Sequence, residues 1–490
     1  MKSFPFHIFR KYDIRGVYGE ELTEELVYRT AAAFAALCRE RTGKKSPVFT
    51  VGMDARVHSP KLRDAFAAGL VSEGCSWIDI GLCPTPLTYF SAFQLQVDGF
   101  AMVTASHNPP AYNGLKLGIG RETIYSGDLE LLGKRASDRD IPESIETPEP
   151  FRRVDIISLY QKFIREAFSH LDRDLKTLDE KIRVVVDSGN GTAGIVLPRI
   201  LRDLGVEVYE LYSEPDGTFP NHHPDPTLPE ALKVLRSEIM RTGSHLGISF
   251  DGDADRIGVL DEKGEVIWGD MLLLILGRQV IESWRHSWRR SDKEVKPPLV
   301  ISEVKASQNL YDGIRQAGGR VEMWKTGHSL IKARMKETGA AIAGEMSGHL
   351  FFADRYFGYD DALYGALRIL EVFIRSLRQG SCRRFSDLFG DIPRVVTTPE
   401  IRIPCEEEGK FDLVERFAES LGQHMASSGN PTILEIIDID GVRARFKDGW
   451  GLLRASNTQP ALVMRFEGPD KETVESYREF FNRLLGEVNN

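Results

Sequence analysis

The stretch "VFTVGMDARVHSPKLRDAFAAGLVSEG" (48–74) decides the fold class. It begins with an apolar run typical of a buried strand, passes through a loop that contains aspartate and arginine, and continues into a helical pattern. Comparable apolar runs, each followed by a polar loop, begin at Ile182, His245 and Leu299. Strand, loop and helix repeated in tandem favour α/β layers with mostly parallel strands.

The chain is too long for one hydrophobic core. Its 490 residues predict three or four domains. A polar, proline-bearing segment at 137–153 reads as a linker, and the pattern at 260–270 reads as a hairpin. After about residue 385, alternating residues and Asp-Gly turns favour antiparallel strands. We therefore expect three tandem α/β domains with mixed sheets and a C-terminal α+β domain, with the boundaries 1–153, 154–264, 265–385 and 386–490.

Composition excludes several classes of protein. With 42% hydrophobic and 28% charged residues, the chain is typical of a globular protein, and its net charge of -9 argues against binding to nucleic acid or to an anionic membrane. The longest apolar runs are too short to span a bilayer. Five scattered cysteines without metal-binding spacing favour a reducing compartment, and we expect the cytoplasm.

The segment "VTASHNPPAYNGLK" (103–116) follows the strand-like "GFAMV" and places Ser106 just past a strand end. In open α/β sheets, ligands bind at that edge. Two adjacent prolines stiffen the loop before any ligand arrives. An ordinary turn explains the same residues, so a nucleophilic role for Ser106 requires support from elsewhere in the chain.

The segment "DGDADR" (251–256) concentrates negative charge. On an extended chain, Asp251, Asp253 and Asp255 point the same way and repel one another. A divalent cation relieves this repulsion, and all-oxygen ligands favour magnesium, calcium or manganese. The adjacent Arg256 indicates a neighbouring phosphate.

Two alternatives apply to the acidic segment. One is a solvated acidic turn, and the other is an EF-hand with Glu262 at the twelfth position. However, Arg256 stands where an EF-hand needs glycine, and the flanking residues resemble strands rather than helices.

Two further loops carry polar side chains of a kind that binds sugars and phosphates. In "GEMSGH" (344–349), the side chains of Glu345, Ser347 and His349 suit the hydroxyls of a sugar, although a plain polar loop is the alternative. The segment "RASNTQP" (454–460) combines arginine with hydroxyls and loop amides, which suits an anion. Further candidate residues that would supply local positive charge or line a site are Tyr12, Arg15, Lys305 and His328.

The four loops, in this order, resemble those of the α-D-phosphohexomutases over nearly the whole chain. The resemblance is closest to the phosphomannomutase/phosphoglucomutase group, since the related phosphoglucosamine mutases carry glutamine where Met346 stands. It implies a four-domain, heart-shaped protein, a resting phosphoserine at Ser106 and one Mg²⁺ ion.

The resemblance also implies a role for each motif residue. Ser106 and the three aspartates would hold the metal, and Glu345 and Ser347 would bind sugar hydroxyls. The remaining residues would bind the non-reacting phosphate (Arg454, Ser456, Asn457 and Thr458) or line the site (Tyr12, Arg15, His107, Lys116, Arg256, Lys305, His328 and His349).

The implied reaction interconverts hexose 1-phosphate and hexose 6-phosphate of mannose, glucose or both. Phosphoserine donates its phosphoryl group, a hexose 1,6-bisphosphate forms and turns, and its other phosphate returns to Ser106. For proton transfer we favour Lys116, with a pKa lowered by Arg15 and the metal, over His107. The expected partners are sugar phosphates, for a monomer or weak homodimer. The alternatives are a phosphoglucosamine mutase, a metal-dependent sugar-phosphate phosphatase and a non-catalytic sugar-phosphate sensor.

Overall fold

The structure is a computed structural model that describes residues 4–288, 296–406, 408–427, 431–456 and 460–489. The described residues contain fourteen α-helices and four β-sheets. The chain divides into two compact units. The first unit contains Met1–Leu276 and Ser347–Gly390, and the second contains Gly277–Met346 and Asp391–Asn490.

The strands and helices are numbered in chain order. The strands are β1 (Ile14–Val17), β2 (Val48–Met53), β3 (Ser76–Leu82), β4 (Gly99–Val103), β5 (Tyr112–Ile119), β6 (Glu122–Thr123), β7 (Arg152–Arg153), β8 (Arg183–Asp187), β9 (Glu207–Leu211), β10 (Leu246–Phe250), β11 (Ile257–Asp261), β12 (Val266–Ile267), β13 (Leu299–Glu303), β14 (Arg320–Trp324), β15 (Ile342–Gly344), β16 (Leu350–Phe352), β17 (Val396–Thr397), β18 (Ile401–Pro404), β19 (Glu435–Ile437), β20 (Val442–Arg445), β21 (Trp450–Ala455) and β22 (Ala461–Gly468). The helices are α1 (Glu24–Thr42), α2 (Ser59–Ser72), α3 (Thr85–Gln94), α4 (Gly127–Ser137), α5 (Ile156–Ala167), α6 (Ser169–Leu175), α7 (Leu197–Asp203), α8 (Pro229–Thr242), α9 (Gly269–Trp288), α10 (Gln308–Gln316), α11 (His328–Thr338), α12 (Ala362–Arg378), α13 (Lys410–Ala426) and α14 (Lys471–Asn489).

The first sheet is mixed and lies in the first unit. Its main strand order is β1-β5-β4-β2-β3-β7, with β2 parallel to β3 and β4, and with β5 antiparallel to β1 and β4. Its core includes Phe34 from α1, Phe49 from β2 and Phe66 from α2, all fully buried. The segment 48–74 therefore forms the predicted strand, loop and helix, with a strand whose four central residues are all buried, as in a strand covered on both faces.

The second sheet, also in the first unit, carries the acidic segment. Its order is β12-β11-β10-β8-β9, where β10 is parallel to β8 and antiparallel to β11. Strands β11 and β12 pair antiparallel across a turn, which confirms the hairpin predicted at 260–270. The metal-loop candidate 251–256 lies between β10 and β11.

The second unit combines a parallel arrangement with an antiparallel sheet. Strand β13 pairs in parallel with β14 and β15. The six-stranded sheet formed by β17 to β22 is antiparallel, and the core that it shares with α13 and α14 includes Phe417, Phe466 and Phe481. The predicted C-terminal α+β arrangement is confirmed.

The segment predicted as a linker at 137–153 is only partly irregular. Helix α4 ends at Ser137, and β7 near the end of the segment pairs in parallel with β3. In the part of the chain that the structure describes, no helix is both long and apolar enough to cross a membrane. The five cysteines all lie in described residues and form no disulfide; Cys38, Cys75, Cys83 and Cys382 are buried.

Candidate active site

The serine loop (residues 104–112) follows β4 directly and ends at the first residue of β5. Ser106 is buried and has a φ of 51°, which is rare for a residue that has a side chain. Its Oγ donates a hydrogen bond to Asp251 Oδ2 at 2.8 Å and lies 3.2 Å from His107 Nδ1. The structure thus joins the hydroxyl to the acidic segment, which lies 145 residues further along the chain.

The metal loop (residues 251–256) turns tightly between two strands. The backbone amides of Asp255 and Arg256 both donate to Asp251 Oδ1 at 3.1 Å. Since β10 and β11 flank the loop, it is not an EF-hand, which requires flanking helices. Glu262 instead accepts hydrogen bonds from the amide and hydroxyl of Ser386.

The metal loop and the serine loop approach each other closely at Gly252. A Cβ atom on this residue would lie 2.8 Å from the carbonyl oxygen of Ser106, so any larger residue would push the two loops apart. Thr85, at the start of α3, also contacts the metal loop: its hydroxyl donates to Asp253 Oδ2 at 2.5 Å and its amide donates to the carbonyl oxygen of Asp253 at 2.9 Å. Thr85 was not predicted from the sequence, and its only local signal is its position between two prolines at the start of α3.

The three aspartates of the metal loop are fully buried and strongly coupled by charge. Burial and the neighbouring carboxylates of Asp255 and Asp253 raise the pKa of Asp251 well above its usual range. Burial would also raise the pKa of Asp255, but Lys116 and His349 outweigh it and hold that pKa at about 2. The loop therefore contains negative charge that a cation would stabilise.

Lys116, on β5, forms ion pairs with this loop. Its Nζ lies 2.6 Å from Asp253 Oδ2 and also contacts Asp255 Oδ2. Burial would lower the pKa of Lys116, but the two carboxylates outweigh it and raise the pKa above its ordinary value. The lowered pKa expected from the sequence assumes a bound metal ion beside Arg15 and stays a prediction; without such an ion, the two carboxylates set the direction of the shift.

The residues of the metal loop fit a divalent cation. Asp251, Asp253 and Asp255 each offer an oxygen, and these atoms lie within 4.8 Å of one another. Asp253 Oδ1 and Asp255 Oδ1 are buried and accept no hydrogen bond from the residues that the structure describes. Buried carboxylate oxygens without a donor are stabilised by a hard cation such as magnesium, calcium or manganese.

A histidine and a further aspartate lie beside the metal loop. Arg256 Nε donates to His349 Nε2 at 2.9 Å, while His349 Nδ1 lies 3.3 Å from Asp360 Oδ2 and 3.7 Å from Asp255 Oδ1. The backbones of Arg256 and His349 also form a β-bridge. Asp360 was not predicted from the sequence, where "YDD" reads only as a helix start.

Arg15 and His107 also lie near the serine loop. Arg15, on β1, donates to Asn108 Oδ1 and to Asp13 Oδ2, both at 2.8 Å. Burial and the nearby Arg256 and Arg15 lower the pKa of His107 well below its usual value, which favours the neutral ring. Tyr12 lies in the bend before β1 and is partly buried.

In the second unit, the sugar-loop candidate (residues 344–349) begins within a network of hydrogen bonds. Glu345 is buried, and its Oε1 accepts a hydrogen bond from the amide of Gly327 at 2.8 Å. The next residue, His328, is buried at the start of α11. Lys305 Nζ lies 2.7 Å from Glu400 Oε1 and 3.7 Å from Glu303 Oε1.

The phosphate-loop candidate (residues 454–460) begins at the end of β21. Arg454 Nη2 lies 3.1 Å from Asp440 Oδ2, and the same aspartate accepts a hydrogen bond from the amide of Thr326 at 3.0 Å. Ser456 is buried, and its amide donates to the carbonyl oxygen of Ala461. Asn457 and Thr458 lie outside the described residues.

The predicted site residues fall into one group in each unit. Glu345 and Ser347, which are only two residues apart, belong to different units. The group in the first unit contains Tyr12, Arg15, Ser106, His107, Lys116, Asp251, Asp253, Asp255, Arg256, Ser347 and His349. The group in the second unit contains Lys305, His328, Glu345, Arg454 and Ser456.

Family models match successive parts of the chain. These are the phosphoglucomutase/phosphomannomutase alpha/beta/alpha domains I, II and III and the C-terminal domain of the same family, at residues 7–128, 159–264, 268–393 and 400–484. A phosphomannomutase/phosphoglucomutase from Pseudomonas aeruginosa is 40% identical over 486 residues, which cover 99% of this chain and 97% of the relative. A phosphoglucomutase from Neisseria gonorrhoeae is 36% identical over 487 residues, which cover 99% and 98%.

Solved structures have the same fold. A phosphoglucomutase/phosphomannomutase family protein from Burkholderia thailandensis superposes with a TM-score of 0.84 at 35% identity, over 99% of this chain and 98% of that one. An Aspergillus fumigatus N-acetylphosphoglucosamine mutase, solved with glucose 1,6-bisphosphate, shares the fold alone, with a TM-score of 0.58 at 14% identity over 98% and 95%. The resemblance inferred from the four motifs is confirmed, and the chain belongs to the phosphoglucomutase/phosphomannomutase family.

Proposed function

We propose that this protein interconverts hexose 1-phosphate and hexose 6-phosphate of glucose, mannose or both, with Ser106 as the phosphoryl carrier. The observation that carries the proposal is the 2.8 Å hydrogen bond from Ser106 Oγ to Asp251, which joins a buried hydroxyl to three buried carboxylates. Names of relatives at 40% and 36% identity support both sugars.

In the first half of the reaction, phosphoserine transfers its phosphoryl group to the free hydroxyl of a hexose phosphate. The bond between Ser106 Oγ and phosphorus breaks, and a bond between phosphorus and the sugar oxygen forms. The proton of the sugar hydroxyl passes to a base, for which we propose Lys116, once Arg15 and a bound metal ion lower its pKa, or else His107; the oxygen of Ser106 takes up a proton in exchange. The lowered pKa of His107 keeps this ring neutral and able to accept a proton.

A divalent ion is proposed as the cofactor, held by Asp251, Asp253 and Asp255 together with the phosphate on Ser106. Magnesium at this position would withdraw charge from the transferring phosphoryl group. Arg15 and Arg256 supply further positive charge in the same unit, where guanidinium groups suit the equatorial oxygens of phosphate.

In the second half of the reaction, the hexose 1,6-bisphosphate presents its other phosphate to Ser106. We propose that Glu345, Ser347 and His349 bind hydroxyls of the sugar, while Lys305, His328 and Tyr12 line its site. The phosphate that does not react is assigned to Arg454, Ser456, Asn457 and Thr458. The tether from Asp440 to Arg454 supports this role because it fixes the direction of the guanidinium group.

The remaining features of the proposal concern the whole chain. The boundaries 1–153, 154–264, 265–385 and 386–490 are proposed for the four domains, each with one motif loop. We propose a monomer or a weak homodimer, since one chain supplies every assigned residue. Five free thiols support a reducing compartment such as the cytoplasm.

A parallel assay tests the proposed function. Glucose 1-phosphate, mannose 1-phosphate and glucosamine 1-phosphate are each supplied with Mg²⁺ and a trace of glucose 1,6-bisphosphate, and both isomerised sugar and free phosphate are measured. The expected product is hexose 6-phosphate from the glucose or mannose substrate. Preference for glucosamine 1-phosphate indicates the phosphoglucosamine mutase, release of free phosphate indicates a phosphatase, and absence of any product contradicts an enzymatic role.

A further inference from the structure

The backbone of Ser106 is held in a conformation that an isolated chain would avoid. Its φ of 51° lies in the left-handed region, where the Cβ atom crowds the following carbonyl oxygen. Such a residue persists only where its surroundings hold it in place. The neighbours that hold Ser106 therefore determine where its hydroxyl points.

Arg56 contacts the serine loop through four backbone carbonyl groups. Its Nη2 donates to the carbonyl oxygens of Ser106 at 2.8 Å and Asn108 at 2.6 Å. Its Nη1 donates to those of Pro109 at 2.7 Å and Tyr112 at 3.0 Å. The side chain of Arg56 is 0% exposed, and its hydrogen bond to the carbonyl oxygen of Ser106 is itself buried.

A second series of hydrogen bonds begins at the backbone amide of Ser106. The amide of Ser106 donates to Thr104 Oγ1 at 2.9 Å, and this hydroxyl donates to Asp54 Oδ2 at 2.8 Å. Asp54 Oδ2 also accepts a hydrogen bond from Arg56 Nε at 3.1 Å. The network therefore holds both peptide groups that flank Ser106, and these two groups define its φ and ψ.

The geometry of this network requires a guanidinium group. A planar guanidinium offers five donors in a fixed arrangement, whereas an ammonium group offers three donors on a flexible stem. Among the residues that the structure describes, the Arg56 guanidinium donates to Asp54 and to four carbonyl oxygens of the serine loop. The ring of Phe219 covers this group, with its centroid 5.2 Å from the central carbon of the guanidinium.

We propose that Arg56 is a positioning residue for phosphoryl transfer, acting with Asp54 and Thr104 to keep the Ser106 hydroxyl directed at the metal loop. This inference rests on the proposed function, because it assumes that Ser106 carries the phosphoryl group. It assigns to the loop after β2 a role that its sequence does not reveal. Arg56 itself touches no reacting atom and acts through the backbone of Ser106.

The test compares Arg56→Lys with the unaltered protein in two measurements. The first is steady-state turnover of glucose 1-phosphate with Mg²⁺ and glucose 1,6-bisphosphate. The second is the rate at which glucose 1,6-bisphosphate phosphorylates Ser106, followed by intact mass. We expect kcat and the phosphorylation rate to fall by about 100-fold, with KM changed by less than about threefold, because displacement of the nucleophile affects the transfer step.

Arg368→Lys is the matched control. Arg368 is also buried and lies in the same unit, but its ion pairs are with Asp354 and Glu371 rather than with the serine loop. We expect its kcat to stay within about threefold of the unaltered protein. Equal losses of kcat in the two variants would overturn the proposal, because burial of an arginine alone would then explain the effect.

Thr104→Val provides an independent variant if Arg56→Lys does not fold. Valine keeps the shape of threonine but removes the hydroxyl that accepts from the amide of Ser106. A folded Thr104→Val protein should also lose kcat with little change in KM, and unchanged kcat would overturn the proposal. Absence of turnover in the unaltered protein is a separate result: it removes the proposed function and this inference together.

Discussion

Lys116 Nζ lies 2.6 Å from Asp253 Oδ2, and both side chains are buried. Lys116 lies on a strand that is far from the metal loop in sequence. Its positive charge nevertheless balances part of the negative charge of that loop. Because the same ammonium group also contacts Asp255, it links the two aspartates whose second oxygens have no hydrogen-bond donor among the described residues. The electrostatics of the loop thus depend on Lys116 as well as on any bound cation.

Removing the carrier hydroxyl should abolish catalysis without abolishing binding. We expect Ser106→Ala to lower turnover by at least about 10³-fold, since no other group would accept the phosphoryl group. Isothermal titration with glucose 1-phosphate should still detect binding. Intact-mass measurement after incubation with glucose 1,6-bisphosphate should show one added phosphoryl group on the unaltered protein and none on the variant. Turnover equal to that of the unaltered protein would exclude Ser106 as carrier.

Replacing one ligand of the metal loop should change the dependence on magnesium. In Asp253→Asn, we expect the Mg²⁺ concentration for half-maximal activity to rise at least roughly 10-fold, because one charged oxygen donor is lost. Asp261→Asn is the control, since Asp261 is also buried but accepts hydrogen bonds within the hairpin of β11 and β12. A magnesium titration of Asp253→Asn that matches the unaltered protein would contradict the metal assignment.

Removing Lys116 should destabilise the first unit most strongly when no metal is present. With a chelator, we expect Lys116→Met to lower the free energy of unfolding by about 3 kcal/mol, because two buried carboxylates lose their counter-ion. Added Mg²⁺ should restore part of this loss. Lys44→Met is the control: the Lys44 side chain is 61% exposed, and loss of its ion pair with Asp98 should change stability by less than about 1 kcal/mol. Equal effects in both variants would contradict the prediction.

The pair formed by His222 and Asp187 should make stability depend on pH. His222 Nε2 lies 3.0 Å from Asp187 Oδ2; burial would lower the pKa of His222, but Asp187 outweighs it and raises the pKa. A raised pKa in the folded state stabilises the protein fully below the unfolded value of about 6.5, and this contribution is lost as pH rises through the folded value.

His222→Gln tests this dependence by thermal unfolding. The variant should lower the melting temperature more at about pH 5.5 than at about pH 8.5, since only the protonated imidazole gains from the aspartate. His286→Gln is a control, because His286 is exposed and its ring nitrogen Nδ1 contacts a backbone carbonyl oxygen, that of Glu282, rather than a carboxylate. If the variant and the unaltered protein differ in melting temperature by the same amount at both pH values, the charge of His222 does not contribute to stability.

The ion pair between Asp440 and Arg454 should affect substrate binding. We expect Asp440→Asn to raise KM for glucose 1-phosphate about 10-fold with a smaller change in kcat, because a charged partner that directs the guanidinium group is lost. Glu435→Gln is the control, since its ion pair with Arg445 is largely exposed. A KM that is equally changed in both variants, or unchanged in Asp440→Asn, would contradict the assignment of Arg454 to the phosphate.

Local sequence patterns were sufficient to predict the α/β units and the positions of the serine loop and the metal loop after strands. The apolar run before Ser106 and the run before Asp251 form strands β4 and β10, and both loops follow strand ends as expected. These predictions are correct because buried strands and glycine-rich turns are determined by residues that are close in sequence. The same reasoning explains why the hairpin of β11 and β12 was predicted correctly.

Contacts between distant parts of the chain could not be predicted in the same way. The partner of Lys116 lies 137 residues away, and the acceptors of Arg56 are backbone carbonyl groups, which the identity of a residue does not reveal. Asp360 reads in the sequence as the start of a helix, although it lies beside His349. The roles of Asn457 and Thr458 stay predictions.

The enclosed cysteines provide a means of following local opening of the chain. Burial raises the pKa of the thiols of Cys38 and Cys83 to about 12 and that of Cys382 to about 11, so each remains protonated at neutral pH. A maleimide reacts with the exposed thiolate and therefore reaches these side chains only when their surroundings separate. The rate of alkylation at each position would consequently report how often that part of the first unit opens, without any added label.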